Sequence, residues 1–169
     1  MEWNFNEYHY QELLEPLEPT MVEATPELEE FSLEALVSRG RIVVCDDEPL
    51  QREVLSICLR SQGFEPLETG LGSECVRMAF KKRPQAILLD LDLPDANGLE
   101  ICEQLADAPQ TSGIPIIILS GTDKPDILRS TRKAGASFFL HKPYDPNAVL
   151  ALVERAIEES KSWDDQLDS

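Results

Sequence analysis

The sequence predicts a doubly wound α/β fold, in which a five-stranded parallel sheet is flanked by five helices. Three observations lead to this prediction. Five short apolar runs lie between residues 41 and 140, the runs are continuous instead of alternating, and each is followed by a segment with helical spacing of apolar residues. Continuous apolar runs are typical of strands covered on both faces, and strands that alternate with helices form parallel sheets with right-handed crossovers.

The predicted strands are short runs of aliphatic, often β-branched residues. The run just after Gly63 is the weakest of the five. Because none of the others alternates with polar residues, both faces of the sheet are expected to be covered by helices. The predicted strands cover residues 41–45, 65–67, 85–90, 114–119 and 137–140.

The segments between these runs are predicted to be helices, because each ends at glycine, at proline or in a polar stretch. The first is expected to bury one apolar face formed by Val54, Leu55, Cys58 and Leu59. The predicted helices cover residues 50–62, 71–82, 98–108, 125–134 and 145–160.

Residues 1–40 differ in composition from the rest of the chain. They contain ten glutamates and one basic residue, a formal charge of −9 out of the −17 of the whole chain. This composition predicts an acidic, proline-interrupted extension that is partly disordered or helical, with one helix starting at Thr25 as the N-cap and stopping at Gly40. The domain is predicted to cover residues 41–160, followed by a polar tail at residues 161–169.

The charge of −17 and the sequence pI of about 4.4 argue against some functions. So acidic a surface repels phosphate backbones and anionic lipid, which disfavours direct nucleic-acid or membrane binding. No apolar run approaches the roughly 20 residues of a membrane span, and the N-terminus lacks the basic and apolar pattern of a secretory signal. A cytoplasmic protein with buried free thiols is expected, since no Cys-x-x-Cys spacing occurs among Cys45, Cys58, Cys75 and Cys102.

Polar side chains follow four of the five predicted strands. The carboxyl ends of parallel strands lie at one edge of a sheet, so these side chains are expected to converge near the point where the strand order reverses. Converging carboxylates repel, and a hard cation such as Mg²⁺ relieves this repulsion, while an ammonium and a hydroxyl can stabilise a phosphoryl group in transfer. The residues, in strand order, are Asp46, Asp47 and Glu48, then Asp90, Ser120 and Lys142.

Separate blocks of the sequence resemble the receiver domain of two-component response regulators. The blocks are VVCDDE at residues 43–48, LLDLDLPDANG at 88–98, LSG at 119–121 and FLHKP at 139–143, in the order and spacing of that family. The resemblance covers roughly residues 41–160. It implies the flavodoxin-like receiver fold and a response regulator of a two-component or phosphorelay system.

The resemblance also implies a role for each polar residue at this edge. Asp90 is the implied phosphoacceptor. Asp47 and Asp90 are implied to bind Mg²⁺ directly, together with the backbone carbonyl of Asp92, while Asp46 holds the ion mainly through water. Lys142 is implied to pair with the acceptor carboxylate and then with the phosphoryl group.

The remaining implied roles concern the switch and the partners. Ser120 is implied to hydrogen-bond a phosphoryl oxygen after transfer, and Phe139 to pack inward when Ser120 moves. The Lys142–Pro143 peptide is expected to be cis. The implied phosphodonor is a sensor histidine kinase or a histidine phosphotransfer protein. Because the fifth helix is followed only by the polar tail, output is expected through contact with an unidentified protein.

Two other functions fit part of the sequence. Asp90-Leu91-Asp92 matches the Asp-x-Asp start of haloacid-dehalogenase-type phosphatases, which also form an aspartyl-phosphate. That motif is expected to end the first strand of its core, whereas here an acidic strand end precedes it, and Pro94 stands where Thr or Val is expected. A scaffold that is never phosphorylated is the other alternative, and the complete acidic set argues against it.

Overall fold

The computed structural model describes the backbone of residues 38–167 and the side chains of residues 38–162. The acidic extension predicted for residues 1–40, with its helix starting at Thr25, lies outside the described residues except for its last three positions. Within the described part of the chain, no helix is both long and apolar enough to cross a membrane.

Five parallel strands form one sheet, as the sequence predicts. Their order across the sheet is β2-β1-β3-β4-β5, so the chain reverses direction across the sheet between β1 and β3. Ligand sites of open parallel sheets lie at such a reversal, beside the carboxyl ends of the strands. The strands are β1 at Arg41–Cys45, β2 at Glu65–Thr69, β3 at Ala86–Asp90, β4 at Ile116–Ser120 and β5 at Phe138–His141.

Five helices connect or follow the strands in the described residues. Gly63 follows the first helix with a φ of 82°, a left-handed conformation that glycine adopts without strain. The helices are α1 at Pro49–Ser61, α2 at Gly72–Lys82, α3 at Gly98–Asp107, α4 at Ile127–Lys133 and α5 at Pro146–Leu167.

Two details of the helices differ from the sequence prediction. On α1 the buried residues are Leu55, Ser56 and Leu59, whereas Val54 is 40% exposed, because Val54 lies at the margin of the apolar stripe and turns away from the sheet. Helix α5 continues to Leu167 and includes most of the predicted tail. The segment after Ser160 contains no proline or glycine that would end the helix.

The strands bury alternate residues in two apolar layers, one on each face of the sheet. The first layer joins the sheet to α1 and α5, and the second joins it to α2, α3 and α4. In β1, Ile42 and Val44 belong to the first layer, while Val43 and Cys45 belong to the second. The cysteines are free, as predicted; all are buried except Cys58, which is half-buried.

Candidate functional site

The carboxyl edge of the sheet collects buried polar side chains. Thr69, Asp90 and Ser120 are the last residues of β2, β3 and β4, and Asp46 directly follows β1; all four are buried. Burying polar groups is unfavourable unless each finds a partner, so their accumulation at one edge indicates a site instead of a packing layer. The sequence predicts Asp46, Asp90 and Ser120 here, and the structure brings them to this edge.

Lys142 joins the two buried carboxylates. Its Nζ donates hydrogen bonds of 2.7 Å to Oδ2 of Asp46 and 2.7 Å to Oδ2 of Asp90. The side chain of Lys142 is 15% exposed, and those of the two aspartates are 2% and 6% exposed. A cation shared by two buried carboxylates reduces their mutual repulsion. These three predicted site residues therefore meet in the structure.

The pKa values of this group reflect burial and pairing. Burial raises the pKa of Asp90, while the hydrogen bond from Lys142 opposes the rise. Burial by itself lowers the pKa of Lys142, but the hydrogen bonds to Asp46 and Asp90 outweigh it, so the net pKa is raised. Lys142 therefore remains a cation at neutral pH, held against the carboxylate that the sequence predicts to react.

The acidic turn after β1 offers oxygen ligands to a cation. Carboxylate oxygens of Asp46, Asp47 and Glu48 lie within 4.8 Å of one another, and Asp47 and Glu48 are exposed. Nζ of Lys142 lies 4.0 Å from Oε1 of Glu48, so the ammonium only partly balances this turn. Clustered carboxylate oxygens open to water are the ligands that Mg²⁺ uses in proteins. The residues present fit such an ion.

Backbone hydrogen bonds hold the two acidic turns in place. The backbone N–H of Glu48 donates to Oδ1 of Asp46 at 2.9 Å, and the N–H of Asp46 donates to the carbonyl of Thr69 at 3.2 Å. After β3, the N–H of Asp92 donates to Oδ1 of Asp90 at 3.2 Å. Both buried carboxylates are thereby oriented by their own turns as well as by Lys142.

Gly98 allows α3 to begin directly against the turn that follows Asp90. Its N–H donates to the carbonyl of Leu91 at 3.0 Å. A Cβ at Gly98 would overlap the carbonyl oxygen of Asp90 and lie 2.6 Å from Cα of Leu91. The backbone of β3 and the start of α3 therefore touch, which fixes Asp90 from behind. Gly98 belongs to the sequence motif that contains Asp90, but the motif does not predict this contact.

Asp95 attaches the same loop to α2. Its carboxylate accepts hydrogen bonds from the N–H groups of Gly72 at 2.7 Å and Ser73 at 3.0 Å, at the start of α2. Hydrogen bonds from Ser73 and Gly72 lower the pKa of Asp95. Sequence reasoning missed this residue, because the cap and the helix it caps are more than 20 positions apart. The loop after Asp90 is thus anchored at both ends.

Ser120 and Thr122 form the wall of the site beyond β4. Oγ of Ser120 accepts a hydrogen bond from the N–H of Thr122 at 3.1 Å, and the hydroxyl of Thr122 donates to Oδ2 of Asp92 at 3.3 Å. Asp92 is exposed, and its hydrogen bond with Thr122 places it beside the loop after β4. Ser120 ends the strand next to Asp90 and is fully buried.

Phe139 lies on β5, which is one strand farther from Asp90 than Ser120 is, and it is paired in register with Ile118. It is half-buried and packs against the second apolar layer. It lines a cavity of about 210 Å³ between β5 and α4, together with Leu128 and Thr131. The Lys142–Pro143 peptide that follows β5 is cis, which confirms the prediction.

Known proteins resemble this chain in sequence. A family model for the response regulator receiver domain matches residues 42–154. The chain is 37% identical over 125 residues to the DNA-binding response regulator MtrA of Mycolicibacterium smegmatis, a match that covers 73% of this chain and 53% of MtrA. It is 29% identical over 118 residues to protein PilH of Pseudomonas aeruginosa, covering 70% of this chain and 98% of PilH.

Solved receiver structures have the same fold. The receiver domain of a sensor histidine kinase from Pseudomonas aeruginosa, with a magnesium ion coordinated in its active site cleft, aligns with a TM-score of 0.65 at 26% identity, covering 70% of this chain and 98% of that one. The chain belongs to the response regulator receiver domain family. It spans about half the length of the MtrA proteins it matches.

Membership in this family supports two general statements. Receiver domains take part in two-component signalling with histidine kinases or phosphotransfer proteins, and they bind Mg²⁺ at an acidic site. This chain has a cluster of three acidic residues, Asp46, Asp47 and Glu48, at the carboxyl edge of its sheet.

Proposed function

We propose that the chain is the phosphoacceptor module of a response regulator and that Asp90 accepts the phosphoryl group. One observation carries the proposal: Nζ of Lys142 lies 2.7 Å from the carboxylates of both Asp46 and Asp90. A buried nucleophilic carboxylate, a fixed cation and an adjacent acidic turn are together the groups needed for phosphoryl transfer. The donor is the phosphohistidine of a sensor histidine kinase or a histidine phosphotransfer protein.

The transfer exchanges one bond for another. The bond between phosphorus and the imidazole nitrogen of the donor breaks, and a bond forms between phosphorus and a carboxylate oxygen of Asp90. The released imidazole takes up a proton from water. The ammonium of Lys142 stabilises negative charge on the phosphoryl oxygens, and the hydroxyl of Ser120 donates a hydrogen bond to one of them. No bond of Lys142 or Ser120 changes in this reaction.

Asp46, Asp47 and Asp90, with the backbone carbonyl of Asp92, are the proposed Mg²⁺ site. Asp47 and Asp90 would hold the ion directly, and Asp46 would hold it mainly through water. The ion supplies positive charge that offsets the carboxylates and the incoming phosphoryl group. Exposure of Asp47 leaves its oxygens free for this task.

The output of the module is a change in protein contacts. Ser120 contacts the loop that leads to α4, and Phe139 borders the cavity between β5 and α4. When Ser120 turns to the phosphoryl group, Phe139 packs inward, and the surface around α4 changes. We propose that an output protein binds this changed surface, that the acidic chain contacts neither nucleic acid nor membrane directly, and that it works in the cytoplasm without catalysing a reaction on other molecules.

Covalent labelling by a small phosphodonor tests the acceptor. With acetyl phosphate and Mg²⁺, the intact mass of the wild-type chain is expected to rise by one phosphoryl group, and that of Asp90→Asn to stay unchanged. Asp92→Asn is the matched control, because only the backbone carbonyl of Asp92 has a role in the proposal; it is expected to label normally. Equal labelling of Asp90→Asn identifies another acceptor and refutes the proposal.

Two further measurements separate the alternatives. Sustained release of phosphate from a small phosphomonoester, lost in both Asp90→Asn and Asp92→Asn, would show a phosphatase of the Asp-x-Asp type. A titration with beryllofluoride in Mg²⁺, followed by NMR signals of Ser120 and Phe139, is expected to move both residues. Unchanged signals would instead support a scaffold that is never phosphorylated.

A further inference from the structure

Arg52 reaches from α1 back to the acidic turn that precedes the helix. Its Nη1 donates a hydrogen bond of 2.6 Å to the backbone carbonyl of Asp46. Its backbone N–H donates to the carbonyl of Glu48 at 3.2 Å. Both ends of Arg52 therefore contact the turn that carries the acidic cluster, and the mechanism proposed above does not use this residue.

The loop after β2 is shaped to admit this guanidinium. A Cβ at Gly70 would lie 3.1 Å from Nη1 of Arg52 and 3.7 Å from the carbonyl oxygen of Asp46, closer to the arginine than side chains normally pack. At the other end of Asp46, its backbone N–H donates a hydrogen bond of 3.2 Å to the carbonyl of Thr69. The backbone of Asp46 is thus held by Thr69 at its N–H and by Arg52 at its carbonyl.

The hydrogen bond from Arg52 is made to the turn whose carboxylates repel one another. Three carboxylates lie within 4.8 Å of one another here, and they repel. In the described residues, Lys142 pairs with Asp46 and more distantly with Glu48, while Asp47 has no ion-pair partner. A hydrogen bond from a charged guanidinium to a carbonyl is stronger than one between neutral groups, so it can hold the turn closed against this repulsion.

We propose that Arg52 is a positioning residue for the Mg²⁺ site: it fixes the Asp46 peptide so that the carboxylates of Asp46 and Asp47 converge before the ion arrives. This inference rests on the proposed function, which places the ion at these carboxylates. A ligand turn that is already formed does not have to be ordered during binding, and groups that orient metal ligands contribute to affinity without touching the metal.

Isothermal titration of Mg²⁺ into the full chain tests the inference without phosphorylation. Arg52→Met removes the hydrogen bond while keeping an unbranched apolar side chain that reaches about as far as Nε, and it is expected to weaken Mg²⁺ binding about tenfold. Arg52→Lys retains the charge but loses the planar guanidinium, and an intermediate loss is expected. Arg60→Met is the matched control, an arginine of the same helix whose side chain is 58% exposed; it is expected to bind Mg²⁺ like wild type.

Gly70→Ala provides a second test, because it leaves Arg52 in the chain and its Cβ, 3.1 Å from Nη1, requires the guanidinium to shift. A smaller loss of Mg²⁺ affinity is expected, and no additional loss when it is combined with Arg52→Met, because both substitutions act on the same contact. Thermal unfolding of the metal-free variants is expected to stay close to wild type. A merely structural role would lower the unfolding temperature and leave the affinity of the folded protein unchanged.

Each result decides the inference. The inference is overturned if Arg52→Met binds Mg²⁺ as tightly as wild type. It is also overturned if the variant binds more tightly because a cation has been removed. Additive losses from Arg52→Met and Gly70→Ala also overturn it, since the two would then act separately. Asp47→Ala distinguishes this failure from that of the proposed function: if Asp47→Ala weakens Mg²⁺ binding and Arg52→Met does not, the metal site stands and the inference alone fails.

Discussion

The interior of the sheet and its carboxyl edge are built from the same strands, but the interior buries apolar side chains and the edge buries polar ones. In β3, Ala86 to Leu89 are apolar and fully buried, and the next residue, Asp90, is equally buried but carries a carboxylate. In β4, Ile116 to Leu119 lead in the same way to Ser120. Apolar burial stabilises the interior, whereas a buried carboxylate costs free energy unless it is paired. The comparison indicates that stability comes from the interior, and that the edge gives up some stability for a reactive group.

Leu88→Ala is expected to have the largest effect on folding. Leu88 is fully buried in the first apolar layer, so truncation should lower the free energy of unfolding by about 2–5 kcal/mol. Urea unfolding measures this loss. Leu50→Ala, at a leucine that is 69% exposed, is the control and should stay within about 0.5 kcal/mol of wild type. Mg²⁺ affinity of the folded Leu88→Ala protein should be unchanged; a loss of affinity would show that interior and edge are not separable.

Gly98→Ala is expected to disturb the edge through its backbone support. The added Cβ would overlap the Asp90 carbonyl, so α3 or the turn after β3 must shift, at a cost of about 1–3 kcal/mol in unfolding free energy. Because Asp90 moves with its turn, labelling by acetyl phosphate should also slow. Gly113→Ala is the control, since no atom lies within 4 Å of a Cβ built there. Normal labelling of Gly98→Ala would show that Asp90 does not depend on this contact.

Asp90→Asn is expected to raise stability in the absence of metal. Burial raises the pKa of Asp90 in the folded chain, so its ionised form is less favourable there than in the unfolded chain. The gain in the free energy of unfolding should be present at pH 7. It should disappear as the pH falls below about 3.9, the pKa of Asp in the unfolded chain, because Asp90 is then protonated in both states. Urea unfolding at neutral and acid pH measures it. Saturating Mg²⁺ should reverse the order at neutral pH, because only wild type keeps the acceptor carboxylate as a ligand. A destabilised Asp90→Asn without metal would contradict the comparison.

Asp95→Asn is expected to have the smallest effect. Hydrogen bonds from Ser73 and Gly72 lower the pKa of Asp95, so its stabilising contribution is present above the unfolded value of about 3.9 and is lost as the pH falls through the lower, folded value. The variant should therefore be slightly less stable than wild type at neutral pH and equal to it in strong acid. Asp126→Asn is the control, because the side chain of Asp126 makes no capping hydrogen bond to α4. Equal stability of Asp95→Asn at neutral pH would show that this anchor contributes nothing.

Much of the fold could be predicted because strand ends and helix ends are local features. The five apolar runs are the five strands, with boundaries that differ by at most two residues, and the edge residues Asp46, Asp90 and Ser120 lie where the sequence predicts. Neither the outward position of Val54 nor the continuation of α5 to Leu167 was predicted. The position of Val54 depends on which side of the helix meets the sheet, and the end of α5 depends on how far a polar helix continues. The spacing of apolar residues constrains both only weakly.

The sequence alone determined the order of the elements, the polar residue at each strand end and the resemblance to receiver domains. The tertiary structure decided which of these groups touch: Lys142 meets Asp46 across 96 positions and Asp90 across 52, and Arg52 and Asp95 brace turns that no motif assigns to them. The reason is physical. Local spacing fixes where a side chain leaves its own element, but the distance between groups on different loops depends on how the strands are ordered and how the loops pack against each other.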